Sequence, residues 1–177
     1  MNPDEDFLKR QELGEAMATF VQKLFATRLG NDEEDSGMRR VATEEYRQAV
    51  EKAARQNMEM SLAWHTLAVW TEEGKERIGY FANALECLRT EEDASPPETA
   101  RTRWSVVHLR ADCRFEIGRV HFHEGAPAAA QQFLAEALPP AQQADALRAE
   151  AGIEHDDRLE GKIAELLLQL PEEEGAA

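Results

Sequence analysis

Basic residues are scarce in this sequence relative to acidic ones, and the imbalance restricts what the chain can bind. Lysine and arginine number 20 against 35 aspartates and glutamates, which gives a formal net charge of −15 at pH 7. Because phosphates and anionic headgroups are held by basic surfaces, this charge argues against nucleic acid and anionic membranes as partners. It suits a protein or peptide partner with some basic character.

Glycine and proline are also sparse, with 10 and 7 among 177 residues. Alanine, leucine, glutamate and arginine, which favour helices, are abundant. Hydrophobic residues make up 42% and charged residues 31% of the chain, a balance typical of a globular domain with a core. The composition therefore favours a folded, helical protein over a disordered one.

Cysteine is limited to Cys87 and Cys113, which lie too far apart in sequence to form a typical metal-binding pair. Their number favours a reducing compartment, although a single disulfide stays open. The N-terminal residues show no signal-peptide pattern. No apolar run reaches the length of a membrane span, and the longest candidate, residues 163–170, belongs to an amphipathic helix. We therefore expect a cytoplasmic protein.

Apolar residues recur at helical spacing along most of the chain, which predicts an all-α fold in a single domain, residues 1–177. The predicted helices cover 4–28, 38–57, 60–73, 75–90, 95–124, 127–138, 141–154 and 156–170. Residues 29–37 contain two glycines and four adjacent acids and are predicted to form a solvated loop. The tail, 171–177, is predicted to be frayed.

Two proline pairs set predicted helix boundaries. Ser95-Pro96-Pro97-Glu98 is the strongest start signal in the chain, because serine can cap, proline suits the first helical position and glutamate follows three residues after the serine. Pro139-Pro140 is predicted to end a helix, since proline lacks the backbone N–H that a helix interior needs.

Two stretches of the chain resemble the tetratricopeptide repeat (TPR) family. In residues 111–138, the apolar–small pair Ile117-Gly118 is followed by Gly125 and then by Ala130, and Ala137-Leu138 closes the stretch. In residues 46–68, Ala53-Ala54 closes one repeat, and Trp64, Leu67 and Ala68 fill the large–apolar–small positions of the next. The resemblance implies a right-handed superhelix of antiparallel helix pairs with atypical terminal helices. It also implies that Trp64 is buried on the same side as Leu67 and Ala68.

A spacing of 34 residues, the TPR period, relates two parts of the C-terminal half. Arg114, Gly118 and His121 recur as Arg148, Gly152 and His155. Other positions of the copy are degraded, as expected of the terminal repeat that caps a solenoid. The turn from Gly125 to Ala130, leading to Phe133, is also similar to one in the type III secretion translocator chaperones, which are small, acidic, cytoplasmic TPR proteins.

The stretch around His121 and His123 invites a metal-site hypothesis, which helical geometry disfavours. Residues two apart on a helix point about 200° from each other, so the two imidazoles cannot hold one ion together. We interpret the segment as a helix end followed by a repeat turn, with Gly118 allowing close helix approach and Gly125 ending the helix. Cys113 has no nucleophile signature around it, and phosphate-binding loops and dinucleotide motifs are lacking. We therefore predict neither catalysis nor a metal or other cofactor.

The remaining functional hypothesis is a groove, because the first helices of TPR repeats line a concave, peptide-binding face. The corresponding positions form two sets: the α3 stripe, Leu62, His65 and Val69, on the third predicted helix (60–73), and the α5 stripe, Phe115, Arg119 and Phe122, on the fifth (95–124). Each set follows helical i, i+3/i+4, i+7 spacing and so lies along one helix face. The alternative is that these side chains are simply core.

Arg119 is the only cation in the two stripes, which argues against the carboxylate clamp that some TPR domains use to hold acidic C-termini. An apolar segment, or an amphipathic helix of partly basic character, fits better. The sequence thus predicts a non-enzymatic protein–protein interaction module, such as a chaperone or adaptor. A self-assembling scaffold, including a homodimer, is the alternative, and an enzyme on a helical scaffold is disfavoured.

Overall fold

A computed structural model describes residues 3–26, 32–56, 60–72, 74–154 and 159–171. These residues form seven α-helices and no β-strand, so the predicted all-α class is confirmed for this part of the chain. The helices are α1 (Pro3–Ala26), α2 (Asp32–Arg55), α3 (Ser61–Trp70), α4 (Gly74–Ala94), α5 (Ala100–His123), α6 (Pro127–Arg148) and α7 (Leu159–Gln169). None of them combines the length and the apolar character needed to cross a bilayer.

Each helix packs against the next one along the chain. Two ion pairs give the relative direction of α5 and α6. Arg103, near the start of α5, pairs with Glu150, just after the end of α6, whereas Arg114, further along α5, pairs with Glu136, which comes earlier in α6. This order makes α5 and α6 antiparallel. Ion pairs of Lys23 with Glu45 and of Lys52 with Glu12 show the same reversal between α1 and α2.

The turn between α5 and α6 contains the predicted glycine cap. Gly125 has a φ of 73°, the left-handed conformation that glycine adopts without strain. Its N–H donates to the Phe122 carbonyl at 3.2 Å, and the Ala126 N–H donates to the His121 carbonyl at 2.9 Å. These two bonds form a Schellman motif, and Pro127 then starts α6.

Gly118 brings α5 and α6 into close contact, as the sequence predicts. A Cβ atom at this position would lie 2.8 Å from Cγ of Leu134 and 3.2 Å from its backbone nitrogen. Because backbone cannot move aside as cheaply as a flexible side chain, only glycine fits here without a shift of one helix.

The core consists of two clusters that share α5. The first runs from α1 to α5 and includes Cys113 and Ile117, whereas the second joins α5 to α6 and α7 and includes Ala111 and Phe115. Trp64 is 5% exposed, and Leu67 and Ala68 are fully buried beside it in the first cluster. The predicted burial of Trp64 is therefore confirmed.

The predicted helix end at Pro139-Pro140 is wrong, because α6 continues through both prolines to Arg148. A proline inside a helix costs about 3 kcal/mol or more through its missing hydrogen bond and its clash with a carbonyl. Ala137 and Ala141 on either side of the pair are both buried in the second cluster. Packing in the cluster that α6 shares with α5 and α7 thus outweighs the local preference and keeps α6 continuous.

Two other boundary predictions also require correction. Residues 32–37 belong to α2 rather than to a loop. The sequence is compatible with this start, because acidic residues are favourable near a helix N-terminus, the positive end of the helix dipole. Residues 29–31, like 172–177 of the predicted frayed tail, lie outside the described residues. The cap of α5 is Thr99 rather than Ser95, because Thr99 and Thr102 exchange side-chain and backbone hydrogen bonds of 3.1 Å.

Candidate functional site

The α3 stripe contains two apolar side chains that the core does not use. Both lie on the ten-residue helix α3, where the side chain of Leu62 is 48% exposed and that of Val69 is 40% exposed. The opposite side of α3 supplies the packing through its buried residues Ala63, Trp64, Leu67 and Ala68. The stripe is therefore an accessible apolar surface rather than a second core face.

His65, in the middle of that stripe, joins α3 to α5. Its Nε2 atom lies 2.7 Å from Oδ2 of Asp112, and the two side chains are 17% and 26% exposed. The imidazole also packs edge-to-face on the fully buried ring of Phe81 in α4, with ring centroids 5.6 Å apart. These contacts fix the orientation of His65 and leave only its edge to solvent.

Arg119 belongs to a second polar group one helical turn further along α5. Oε2 of Glu116 accepts hydrogen bonds from Arg119 at 2.6 Å and from Arg77 of α4 at 2.7 Å. The Arg77 guanidinium carbon lies 5.8 Å from the centroid of the Phe81 ring, which His65 contacts as well. The carboxylates of α5 at positions 112 and 116 therefore hold α3 and α4 in register against α5.

The α5 stripe does not form one continuous exposed surface. Phe115 is only 7% exposed and packs in the second cluster with Leu134 and Ile163, so the core alternative applies to it. Phe122 is half-buried, with its ring 5.6 Å from that of His123. The accessible parts of the two stripes are thus Leu62 and Val69 on α3, with Arg119 and Phe122 partly accessible on α5.

Sequence reasoning missed Asp112, Glu116 and Arg77, which determine how the two stripes are held. The signal was present, since Asp112 and Glu116 are four residues apart and so lie on one face of a helix rich in arginine. A stacked pair, Trp104 and His108, was also missed, with ring centroids 4.7 Å apart on the N-terminal half of α5.

A concave feature lies between α2, the end of α3 and the start of α4. It is a cleft of about 410 Å³, and Val69 of the α3 stripe lies in its wall. We call it the arginine cleft because its lining includes Arg39, Arg40, Arg47 and Arg77. The signal in the sequence was the spacing of Arg39, Arg40 and Arg47, which places all three on one side of α2.

The residues considered for metal binding or nucleophilic chemistry occupy structural positions. The ring of His121 stacks on Phe133 with centroids 5.7 Å apart, and no group of potential metal ligands forms among the residues that the structure describes. Cys87 and Cys113 are both buried, and they form no disulfide. Burial, together with the neighbouring carboxylate of Asp112, raises the pKa of the Cys113 thiol, which makes it a poor nucleophile.

Comparison of the chain with protein-family models found no match, and comparisons with curated proteins and with solved structures found none either.

Proposed function

We propose that the chain is a non-enzymatic protein–protein interaction module that binds an apolar or amphipathic segment of a protein partner, as a chaperone or adaptor does. The observation that carries this proposal is the exposure of Leu62, 48%, and Val69, 40%, on a helix whose other face is fully packed. Apolar side chains that the fold does not need are a common property of recognition surfaces.

We propose further that the helices form a TPR-like superhelix in which α3, α5 and α7 are first helices of successive hairpins. Three features support this arrangement. The His65–Asp112 hydrogen bond joins α3 to α5, and Phe115 shares a cluster with Ile163 of α7. Gly118 occupies the close crossing of α5 and α6, where the family has a small residue. In this arrangement the α3 stripe and the accessible part of the α5 stripe lie on the concave side.

The same proposal includes a cytoplasmic location and the absence of catalysis. Two buried thiols that form no disulfide suit a reducing compartment. The polar side chains near the stripes, His65, Asp112, Glu116 and Arg77, are bonded to each other across helices rather than directed at a common point where a substrate could react.

One observation favours the alternative of self-assembly. Leu168 on α7 is 88% exposed, and an apolar residue on a terminal helix of a solenoid can contact a second copy of the chain. Size-exclusion chromatography with light scattering distinguishes the two. A dimer that dissociates in the Leu168→Asp variant would favour assembly through α7.

Affinity capture with matched variants tests the proposed surface. The double variant Leu62→Asp/Val69→Asp places two charges on the stripe, and Leu8→Asp/Val41→Asp places two charges on the exposed apolar residues of α1 and α2, which are 58% and 59% exposed. We expect the first variant to stay folded by circular dichroism and lose the captured partner, while the second retains it. Equal retention by both variants would contradict the proposal.

A further inference from the structure

The arginine cleft carries an inference about the chemistry of the partner. In a chain with 35 acidic and 20 basic residues, four arginines line this one cleft of about 410 Å³. Apolar surface adjoins them, because Val69 and Trp70 lie in the same wall. Cationic groups beside an apolar wall are suited to a segment that carries both carboxylates and apolar side chains.

Arg47 and Arg77 have carboxylate partners within the protein, and Arg39 also makes an interaction of its own. Arg47 donates to both oxygens of Glu44 at 2.7 and 2.8 Å and to Glu51 at 2.7 Å. Arg77 donates to Glu116. These pairs hold the two guanidinium groups in place and occupy their donors, although Arg77 shares Glu116 with Arg119. The charge offered to a partner then comes from a guanidinium that no carboxylate of the described residues engages.

Arg40 supplies that charge. Its side chain is exposed, and within the part of the chain that the structure describes it makes no ion pair. Three glutamates also line the cleft. Glu44 accepts hydrogen bonds from Arg47 at both oxygens, so the acidic neighbours that remain for Arg40 across the cleft are Glu72 and Glu76. A free guanidinium is a planar, permanently charged donor whose geometry matches a carboxylate.

We propose that the arginine cleft binds a carboxylate side chain of the partner, with Arg40 as its main contact and an apolar residue of the same segment on Val69. This inference rests on the proposed function, since Val69 belongs to the surface proposed above. The sequence predicts a partner with some basic character, whereas this inference predicts an acidic group in the part of the partner that contacts the cleft. The net charge of −15 favours a basic partner for the chain as a whole. At physiological salt, however, charges act over only about 8 Å, so the residues in contact decide.

Fluorescence anisotropy with three labelled peptides tests the proposal at physiological salt. Each peptide is amidated and has leucines at helical spacing, and the positions between them are glutamate in the acidic peptide, glutamine in the neutral one and lysine in the basic one. We expect the acidic peptide to bind at least about fivefold more tightly than the neutral peptide, and its advantage to shrink as salt is added.

The variant Arg40→Glu has a matched control in Arg55→Glu. Both positions are exposed on α2 and both changes alter the net charge equally, but Arg55 does not line the cleft. We expect Arg40→Glu to weaken binding of the acidic peptide by about fivefold or more, and Arg55→Glu to leave it nearly unchanged. Thermal melts of both variants will show whether the fold is retained.

The possible failures separate this inference from the proposed function. If the neutral peptide binds as tightly as the acidic one and is released by Leu62→Asp/Val69→Asp, the carboxylate site is wrong and the apolar surface stands. If Arg40→Glu and Arg55→Glu weaken binding of the acidic peptide equally, the cause is repulsion between the peptide and the net charge of the protein. That result would overturn the inference. The inference is also overturned if the basic peptide binds most tightly. It is overturned as well if the acidic peptide shows no binding at a concentration of about 1 mM, since its dissociation constant is then weaker than about 1 mM.

Discussion

The imidazole Nε2 of His65 lies 2.7 Å from Oδ2 of Asp112, and this bond connects α3 to α5 across the buried ring of Phe81. The two residues are 47 positions apart in sequence. The bond therefore stabilises the packing between two helix pairs rather than a single turn. It also places the exposed residues of α3 at a defined position relative to α5, which a shared binding surface requires.

We predict energetic coupling between these two side chains. In a double-mutant cycle with His65→Gln and Asp112→Asn, each single change should destabilise the protein by about 1–3 kcal/mol, since it leaves a partly buried group unpaired. The coupling energy should be about 0.5–3 kcal/mol, as found for residues in contact. Urea unfolding measures both quantities. The change Asp93→Ala, at an exposed aspartate of α4, is the control, and additive effects in the cycle would argue against the bond.

Opposite effects are expected from one substitution at two helical glycines. Gly118→Ala should destabilise the protein by about 1–3 kcal/mol, because the new methyl group would overlap Leu134 at the α5–α6 crossing. Gly79→Ala in α4 meets nothing within 4 Å and should stabilise it by about 0.5–1 kcal/mol through helix propensity. Thermal unfolding of the two variants gives the comparison, and a stabilised Gly118→Ala would mean that the helices are not in close contact.

How far the sequence predicts this fold depends on whether a feature is local. Helical spacing and the Gly125 turn are set by neighbouring residues, and both are confirmed. The end at Pro139-Pro140 was predicted from local preference and is wrong, because contacts of Ala137 and Ala141 with other helices outweigh that preference. Long-range packing cannot be inferred from spacing within one helix.

The same distinction applies to the candidate surface. For Leu62 and Val69 the sequence favoured a surface position, because Trp64, Leu67 and Ala68 already supply a packing face of α3, but it left the core alternative open until their exposure was known. Phe115 could not be assigned, since it is buried in a cluster that also contains residues of α6 and α7, such as Ile163, which lies 48 residues further along the chain. Arg40 was missed because only the assembled helices show that it makes no ion pair with any of the residues that the structure describes.

The two phenylalanines of the α5 stripe should differ in their effect on stability. Phe115→Ala should cost about 3–5 kcal/mol, the range for removing a buried aromatic ring. Phe122→Ala should cost about 1 kcal/mol, since that ring is half-buried. Chemical unfolding monitored by circular dichroism measures both. If the Phe122 variant is as unstable as the Phe115 variant, Phe122 belongs to the core and leaves the proposed surface.

Replacing Pro139 should stabilise the protein. Pro139 is exposed in the interior of α6, where proline costs about 3 kcal/mol relative to alanine, so Pro139→Ala should raise the free energy of unfolding by about 1–2 kcal/mol after the gain in unfolded-chain entropy is subtracted. Pro127→Ala is the control, because Pro127 stands in the first turn, where proline is tolerated. Calorimetric melting temperatures should rise for the first variant and change little for the second. A drop for Pro139→Ala would mean that α6 needs a proline-induced bend.

The raised pKa of the buried Cys113 thiol predicts how stability depends on pH. In the unfolded chain a thiol ionises near pH 8.5, at about its ordinary pKa. In the folded protein, burial keeps the thiol protonated at that pH. Above about pH 8.5 the unfolded state therefore binds fewer protons than the folded state, so the free energy of unfolding falls as the pH rises.

Urea unfolding between about pH 8 and 10 should show this fall, with a slope approaching about 1.4 kcal/mol per pH unit from this one group. The window stops there because burial also raises the pKa of the Tyr46 phenol, which adds a similar dependence at higher pH. The variant Cys113→Ala will be less stable overall because it leaves a cavity, but its slope should be shallower by that amount. A slope unchanged by Cys113→Ala would show that the thiol ionises equally in both states, and would contradict the burial of Cys113 in the first core cluster.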